Sequence, residues 1–311
     1  MNQIKTLVIG GAGFIGSHTI PLLLETGRSV TVVGRSVKPA FIQAYNLSYI
    51  SGDFGDCAFI CKLLDAHDEV ILLAYATVPN TSFESPLADL QQNLTPAVQL
   101  FAEAAKRDCK VLLVSSGGTV YGEAIDPPIL ENHSKHPISP YGLTKLTLES
   151  YAYFYGVTHA LNFTVVRPAN AYGPGQKPFM GQGFIATAIA TAKEGKAIKI
   201  FGKAGTVRDY VEVSDLASGI VSALLYGKPS GIYNIGSGIG RSNLDIIEKL
   251  KEPLERHGAK IYVEHLPERL FDVRINILDA SKLQQDTGWA PKVSFDKGIE
   301  KTVNWHFDDE K

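Results

Sequence analysis

Cysteine is scarce in this chain of 311 residues: there are 3, an odd number, which excludes a disulfide framework. Cys57 and Cys61 are spaced to share one helix face. None of the 8 histidines stands at metal-ligand spacing to them, so the cysteines read as small apolar groups and no metal site is expected. An excess of charge of either sign is also lacking. With Lys+Arg 30 against Asp+Glu 32, there is no basic stripe for a nucleic-acid backbone and no Lys/Arg cluster for a membrane surface. No apolar stretch reaches the length of a membrane span, Val70 to Ala76 reading as a buried strand, and the amino terminus runs into a glycine turn rather than a cleavage site. Repeats and low-complexity tracts are absent too. The expectation is a cytoplasmic protein whose partners are small soluble molecules.

What is present is an alternation. Apolar segments of strand character at Lys5–Ile9, Ser29–Val33, Leu47–Ile50, Val70–Ala74, Val111–Ser115 and Phe163–Arg167 are separated by helical patterns at 14–26, 56–65, 86–107 and 140–156. That order predicts the α/β class, a doubly wound parallel (Rossmann) sheet. After Arg167-Pro168 glycine and proline cluster in Tyr172-Gly173-Pro174-Gly175 and strands become short. We therefore assign residues 1–167 to a dinucleotide-binding domain and 168–311 mainly to a smaller substrate-binding α/β lobe. Ile198–Phe201 and Gly231–Ile235, within 198–235, are strands that can add to either part.

Gly10-Gly11-Ala12-Gly13-Phe14-Ile15-Gly16 sits directly between the first strand and the first helix. A strand that turns straight into a helix leaves unpaired N–H groups, here around Phe14 and Ile15, where an anion is favoured. Gly10 permits the tight turn, Gly13 lets a pyrophosphate approach the backbone, and Gly16 lets helix and strand pack closely. The second strand ends in Val33-Gly34-Arg35-Ser36, without the acidic residue that bonds the ribose hydroxyls of NAD and repels a phosphate. The wall is thus open at Gly34, and the Arg35 guanidinium either meets a 2′-phosphate, stacks on the adenine or faces solvent. NAD and NADP both remain possible. Asp53, with Phe54 beside it, follows the third strand and either accepts from the adenine amino group or caps a solvated turn. Ala74 to Thr77, with Ala74 and Ala76 toward the ligand, line the next crevice.

Tyr141 and Lys145 stand four apart after Pro140, so a helix beginning there points both side chains into one space. A phenol of pKa about 10 is a poor base at neutral pH, but a neighbouring ammonium and a cationic nicotinamide both favour the phenolate. Such a pair can exchange a proton with a substrate hydroxyl while hydride passes between the same carbon and the nicotinamide.

With these motifs on the page, the chain resembles the extended short-chain dehydrogenase/reductase family, in particular its nucleotide-sugar epimerases of the UDP-glucose 4-epimerase type. The resemblance spans essentially the whole chain. It rests on the glycine loop, Ser115-Ser116-Gly117-Gly118-Thr119-Val120-Tyr121-Gly122, the Tyr141/Lys145 pair, Arg167-Pro168-Ala169-Asn170, and Arg208-Asp209-Tyr210-Val211-Glu212-Val213-Ser214-Asp215. It implies tightly held NAD and sets Asn93, Ser115 and Pro168 on the cofactor side, Asn93 supporting a helix and water network. It implies that Asn170 bonds a substrate diphosphate, that Phe201 packs near the uracil, and that Arg208 and Arg269 grip the phosphates. Asn276 falls where the family selects plain hexoses or admits N-acetyl groups, and the helices at 86–107 and 140–156 are where a homodimer forms. One departure stands out: the family's usual serine or threonine is Gly117 here, with Ser116 and Thr119 as the nearby substitute hydroxyls. Sugar 4,6-dehydratases carry an Asp-Glu pair where this chain has Gly118-Thr119, and UDP-glucuronate decarboxylases carry a glutamate in that stretch.

The expected activity is therefore 4-epimerisation of a UDP-hexose or UDP-N-acetylhexosamine through a 4-keto intermediate. An NADPH-dependent 4-keto nucleotide-sugar reductase is the alternative that Gly34-Arg35 suggests. A catalytically silent dinucleotide-binding sensor is the second, suggested by Gly117.

Overall fold

A computed structural model describes residues 3–36, 44–268 and 273–308 of the chain. Along the first half run β1 (Lys5–Ile9), α1 (Phe14–Glu25), β2 (Ser29–Gly34), β3 (Leu47–Ser51), α2 (Cys57–Leu64), β4 (Glu69–Leu72), α3 (Pro79–Glu84) and α4 (Pro86–Asp89). A π-helical turn at Leu90–Leu94 leads into α5 (Thr95–Lys106), β5 (Lys110–Val114), α6 (Pro140–His159) and β6 (Phe163–Pro168). The second half holds β7 (Asn170–Tyr172), α7 (Phe184–Lys193), β8 (Ala197–Phe201), β9 (Val207–Glu212), α8 (Val213–Tyr226), β10 (Gly231–Ile235), β11 (Gly240–Ser242) and α9 (Asn243–Arg256). It closes with β12 (Tyr262–Leu266), β13 (Ile275–Asn276), α10 (Ser281–Thr287) and α11 (Phe295–Asp308).

Seven strands form one sheet in the order β10-β6-β5-β4-β1-β2-β3, every pair parallel. The chain winds outward from β1 in both directions, so the order reverses between β1 and β4 and opens a crevice at their carboxyl ends. Alternation explains why both faces are covered. Leu7, Ile9, Val70, Leu72, Val111 and Leu113 enter one core with α2, α5 and α6, while Val8, Ile71 and Leu112 enter the other with α1 and α8. Gly231–Ile235 joins this sheet beside β6, whereas Ala197–Phe201 pairs with β12 in a separate two-stranded sheet. The lobe has its own apolar centre, where Ile185, Ile189, Ile246, Leu250, Ile299 and Val303 from α7, α9 and α11 meet Tyr172 and Tyr210.

Three of the differences from the sequence reading have a clear local reason. The strand expected to reach Ala74 stops at Leu72, because β1 turns away at Gly10 and the Leu73 and Ala74 N–H groups both donate to the Ile9 carbonyl. The single helix expected over 86–107 is broken by the π turn just before Pro96, whose ring cannot donate to the preceding turn and crowds its carbonyl. Gly156 does not end α6; a Cβ there would lie 2.5 Å from the Phe163 ring, so the glycine lets the helix pass over β6 and continue to His159.

Under α6 lies a buried polar network. The Arg167 guanidinium on β6, its side chain 1% exposed, donates to both Glu149 oxygens, to Tyr121 Oη at 2.8 Å and to the Glu131 carbonyl at 3.0 Å. Ser115 donates to the same Glu149 carboxylate, and Tyr121 donates to Asn234 on β10 at 2.7 Å. An Arg–carboxylate pair this dry holds its geometry because further hydrogen bonds, here to Tyr121 and the Glu131 carbonyl, answer the guanidinium beyond the carboxylate. Glu149→Ala leaves a buried guanidinium uncompensated and is expected to cost about 3–5 kcal/mol in urea denaturation. A cost under about 1 kcal/mol would contradict this account of how α6 is fixed.

Candidate active site

The glycine loop forms a cradle, and its glycines are there for different reasons. Gly10 adopts φ +84°, donates to the Val33 carbonyl at 2.8 Å, and has no room for a Cβ, which would lie 2.6 Å from Ala74 N. A Cβ on Gly16 would lie 2.3 Å from the Gly11 carbonyl oxygen, so loop and helix can pack only as they do because that residue is glycine. Gly13 is different. A Cβ there would approach nothing nearer than Gly10 O at 3.4 Å, so the protein's own packing does not exclude a side chain. Space is left over the first turn of α1, which starts without a side-chain cap and without an acidic residue. Unpaired N–H groups beneath an open backbone suit a pyrophosphate, and the residues present therefore fit a dinucleotide.

At the far edge, the wall expected to be open at Gly34 is occupied. Tyr49 places its hydroxyl 2.9 Å from where a Gly34 Cβ would be and donates to the Ser36 carbonyl at 2.6 Å, while Arg35 is exposed. Asp53 is exposed and accepts from Gly55 N at 2.8 Å, the turn-capping arrangement, with Phe54 half-buried beside it. Across the crevice the Ala76 N–H donates to buried Asn93 at 2.7 Å, and Asn93 donates in turn to the Asp89 carbonyl at 2.8 Å, so Asn93 fixes the loop that carries Ala74 and Ala76.

Tyr141 and Lys145 are set by the start of α6. Ser139 caps the helix by accepting from Gly142 N at 3.1 Å, Pro140 opens it, and Tyr141 N donates to Ser82 Oγ at 3.1 Å. A Cβ on Gly142 would lie 2.8 Å from the Thr119 carbonyl; the glycine brings this first turn against the segment after β5. Ser116 in that segment stands beside the Tyr141 phenol and favours its ionised form. Lys145, buried, donates to the Val114 carbonyl at 2.9 Å and lies 4.0 Å from the centre of the Tyr75 ring and 5.7 Å from that of Tyr141. Burial drives the Lys145 ammonium down to about 7, against the opposing pull of Asp89 and Glu149. Burial also pushes the Tyr141 phenol up, Asp89 adds to this, and Ser116 works the other way.

The departure at Gly117 has a steric cause. A Cβ at Gly117 would lie 2.4 Å from Leu278 Cδ1 and 2.9 Å from the Arg167 carbonyl oxygen, so no hydroxyl-bearing side chain fits. Thr119 Oγ1 is buried and has no hydrogen-bond partner among the described residues, an atom that a ligand group can satisfy. Asn276, buried, donates to the Gly117 carbonyl at 3.0 Å and is in register with Arg208 on β9. Asn170 reaches toward Gly118, where a Cβ would lie 3.2 Å from its Oδ1. Ser115 and Pro168 flank this segment, Gly117 N donating to the Pro168 carbonyl at 2.9 Å. Tyr141, Lys145, Ser116, Thr119, Asn170 and Asn276 are thus gathered around one short segment. Phe201 stands on the separate β8–β12 sheet, opposite Leu266, and Arg269 lies outside the described residues.

Two neighbours of the pair escaped the sequence reading. Tyr75 packs edge-on against Tyr141, ring centres 4.7 Å apart, and Asp89 lies fully buried beside it. The available signal was Asp89 standing four residues before Asn93 in a helical stretch, one face apart from solvent.

Comparison with known proteins places this geometry in context. The profile of the NAD dependent epimerase/dehydratase family matches residues 6–236. The UDP-glucose 4-epimerase of Mycolicibacterium smegmatis is 33% identical over 314 residues, covering 97% of this chain and 98% of that one. A crystal structure of the Thermotoga maritima UDP-glucose 4-epimerase with UDP-glucose superposes with a TM-score of 0.91 at 32% identity, covering 99% of this chain and all (100%) of that one. The Thermus thermophilus UDP-glucose 4-epimerase in complex with NAD gives 0.88 at 30% identity, covering 97% and 98%.

Because Gly117 is crowded by Leu278 and the Arg167 carbonyl, Gly117→Ser is expected to destabilise the protein by about 1–3 kcal/mol in thermal or urea unfolding. A variant of unchanged stability and raised turnover would show instead that a serine is accommodated there.

Proposed function

The chain belongs to the NAD dependent epimerase/dehydratase family, and from that premise we propose that it is a nucleotide-sugar 4-epimerase acting on a UDP-hexose or UDP-N-acetylhexosamine. The observation that carries the reading is the convergence of Tyr141, Lys145 and Ser116 at the carboxyl end of β5, beside the crevice that the glycine cradle closes. The absence of carboxylates at Gly118-Thr119 supports epimerisation over the dehydration that other family members perform.

NAD bound along the cradle supplies a hydride acceptor and donor and a positive charge near the phenol. The chain does the rest. Tyr141 takes the proton of the sugar C4 hydroxyl and later returns one to the same oxygen, with Ser116 beside the phenol offering a relay in place of the side chain missing at Gly117. Thr119 Oγ1 provides a further hydroxyl for the sugar. Lys145, held by the Val114 carbonyl, favours the phenolate through its charge. Asn170, Arg208 and Arg269 are assigned to the diphosphate and Phe201 to the uracil. Asn276 is assigned to the wall that admits or refuses an N-acetyl group. A sugar turned over between the two half-reactions needs such anchoring at its nucleotide end and freedom at its ring. Residues 1–167, with α8 and β10 added to their core and sheet, serve as the dinucleotide domain, and the rest of 168–311 mainly as the substrate domain. Arg35, the support for an NADPH-dependent reductase, is exposed beside a wall that Tyr49 fills.

We also infer a cytoplasmic homodimer. Leu143, Tyr151, Phe154 and Val157 are exposed on one stripe of α6, next to Leu87 and Leu90 at the start of the 86–106 region, an apolar face that a second copy can cover. No helix among the described residues is long and apolar enough to cross a membrane.

Incubation with UDP-, GDP- and dTDP-sugars without added nicotinamide is expected to interconvert 4-epimers of a UDP-sugar. Tyr141→Phe is expected to lower kcat by about 10²–10⁴-fold with KM little changed. Turnover only with stoichiometric NADPH, or undiminished activity in the variant, would overturn the reading. For the dimer, Phe154→Glu with Val157→Lys is expected to halve the mass seen in sedimentation equilibrium; a wild-type mass of one chain contradicts it.

A further inference from the structure

We propose that Asp89 is a positioning residue whose buried negative charge keeps Lys145 in its ammonium form and, through Tyr75 and Thr144, fixes the ring of Tyr141. The inference rests on the roles given above to Tyr141 and Lys145. Asp89 stands at the end of α4 and is fully buried. Its carboxylate accepts from Thr144 Oγ1 at 2.5 Å, from Tyr75 Oη at 3.2 and 3.4 Å, from Asn93 Nδ2 at 3.4 Å, and from Thr77 Oγ1.

Every one of these donors is neutral, and Asp89 forms no ion pair among the described residues. An asparagine would satisfy most of the same hydroxyls without the cost of burying a charge, which is several kcal/mol for an uncompensated ion. A carboxylate is explained when a cation stands near enough to be held by it. Lys145 is that cation. Thr144, which binds Asp89, is the residue before Lys145 in α6, and Tyr75, which also binds Asp89, carries the Lys145 ammonium on its ring face at 4.0 Å.

The charged and titratable groups around Lys145 are few. Tyr75 faces it from the segment after β4, Asp89 from α4, Tyr141 and Glu149 from α6 itself. Glu149 is already matched by Arg167 from β6, which leaves Asp89 as the carboxylate whose charge is not otherwise compensated. Burial lowers the Lys145 ammonium, Asp89 is the largest influence opposing it, and Glu149 follows. The same charge also raises the Tyr141 phenol, after burial and against Ser116.

The test compares wild-type protein with Asp89→Asn, using carbon-13 labelled lysine and following the Lys145 Cε resonance, assigned by its loss in Lys145→Arg, through a pH titration. Loss of the charge is expected to lower the ammonium midpoint by about one unit, on the order of tenfold less ammonium at a pH above it. The alkaline limb of kcat on the nucleotide sugar that the wild type converts is expected to move down with it. Asp89→Ser is a second neutral variant for the case where the amide is not tolerated in the fold. Tyr75→Phe keeps the charge and removes one donor, and is expected to leave the midpoint in place. A midpoint unmoved in both neutral variants, or one that moves as far in Tyr75→Phe, overturns the inference, as does a kcat limb that stays put. Because the titration needs no turnover, a wild type inactive on every sugar would strike the functional reading alone.

Discussion

The burial of the Lys145 ammonium at the carboxyl end of β5 is the constraint around which the rest is arranged. A lysine removed from water is unstable as a cation unless its protons and its charge are answered nearby. Here the Val114 carbonyl takes one proton, the Tyr75 ring lies under the charge, and α6 must be held still for either contact to persist. That demand is met at both ends of the helix face. The Ser139 cap and the Gly142 contact with Thr119 fix its first turn, and Glu149 locks one turn beyond Lys145 onto Arg167 in the sheet. The pair of side chains to which we assign the proton chemistry is therefore as rigid as the core that carries it.

The same crevice divides its labour between backbone and side chains. On the β1 side the chain offers N–H groups and empty space, with glycine required by close approach at Gly10 and Gly16 and leaving room at Gly13. On the β5 side it offers hydroxyls: Ser116 beside Tyr141, and Thr119 buried without a partner among the described residues. One side suits a phosphate-bearing cofactor and the other a sugar, and on the proposed reading their meeting at the switch point of the sheet would bring a reacting carbon between hydride and proton carriers.

Much of this could be read from the residues in order. The alternation of β-branched strands with helices gives the parallel sheet, because the inner strands are apolar on both faces, and the glycine loop and Tyr141/Lys145 spacing depend on local geometry that a sequence records directly. What stayed hidden depends on contacts between distant segments. That Gly117 has no room for a side chain follows from Leu278, far along the chain, and from the carbonyl of Arg167. That Tyr49 fills the space beside Gly34 depends on the register of β2 with β3, which sets Val32 opposite Tyr49. Asp89 is enclosed by the π turn and by Tyr75, neither of which its place in the sequence records. Buried polar groups are specified by their partners, and partners are what a linear reading lacks.

The central claim is that this chain moves hydrogen off and back onto one sugar carbon without net oxidation. Its most direct test is to incubate the isolated protein with UDP-glucose deuterated at C4, without added cofactor, and to examine the product by mass spectrometry and NMR. The account predicts UDP-galactose carrying the deuterium at C4. Loss of the label to solvent, its retention on the bound nicotinamide without return to the sugar, or elimination of water from the sugar would contradict it.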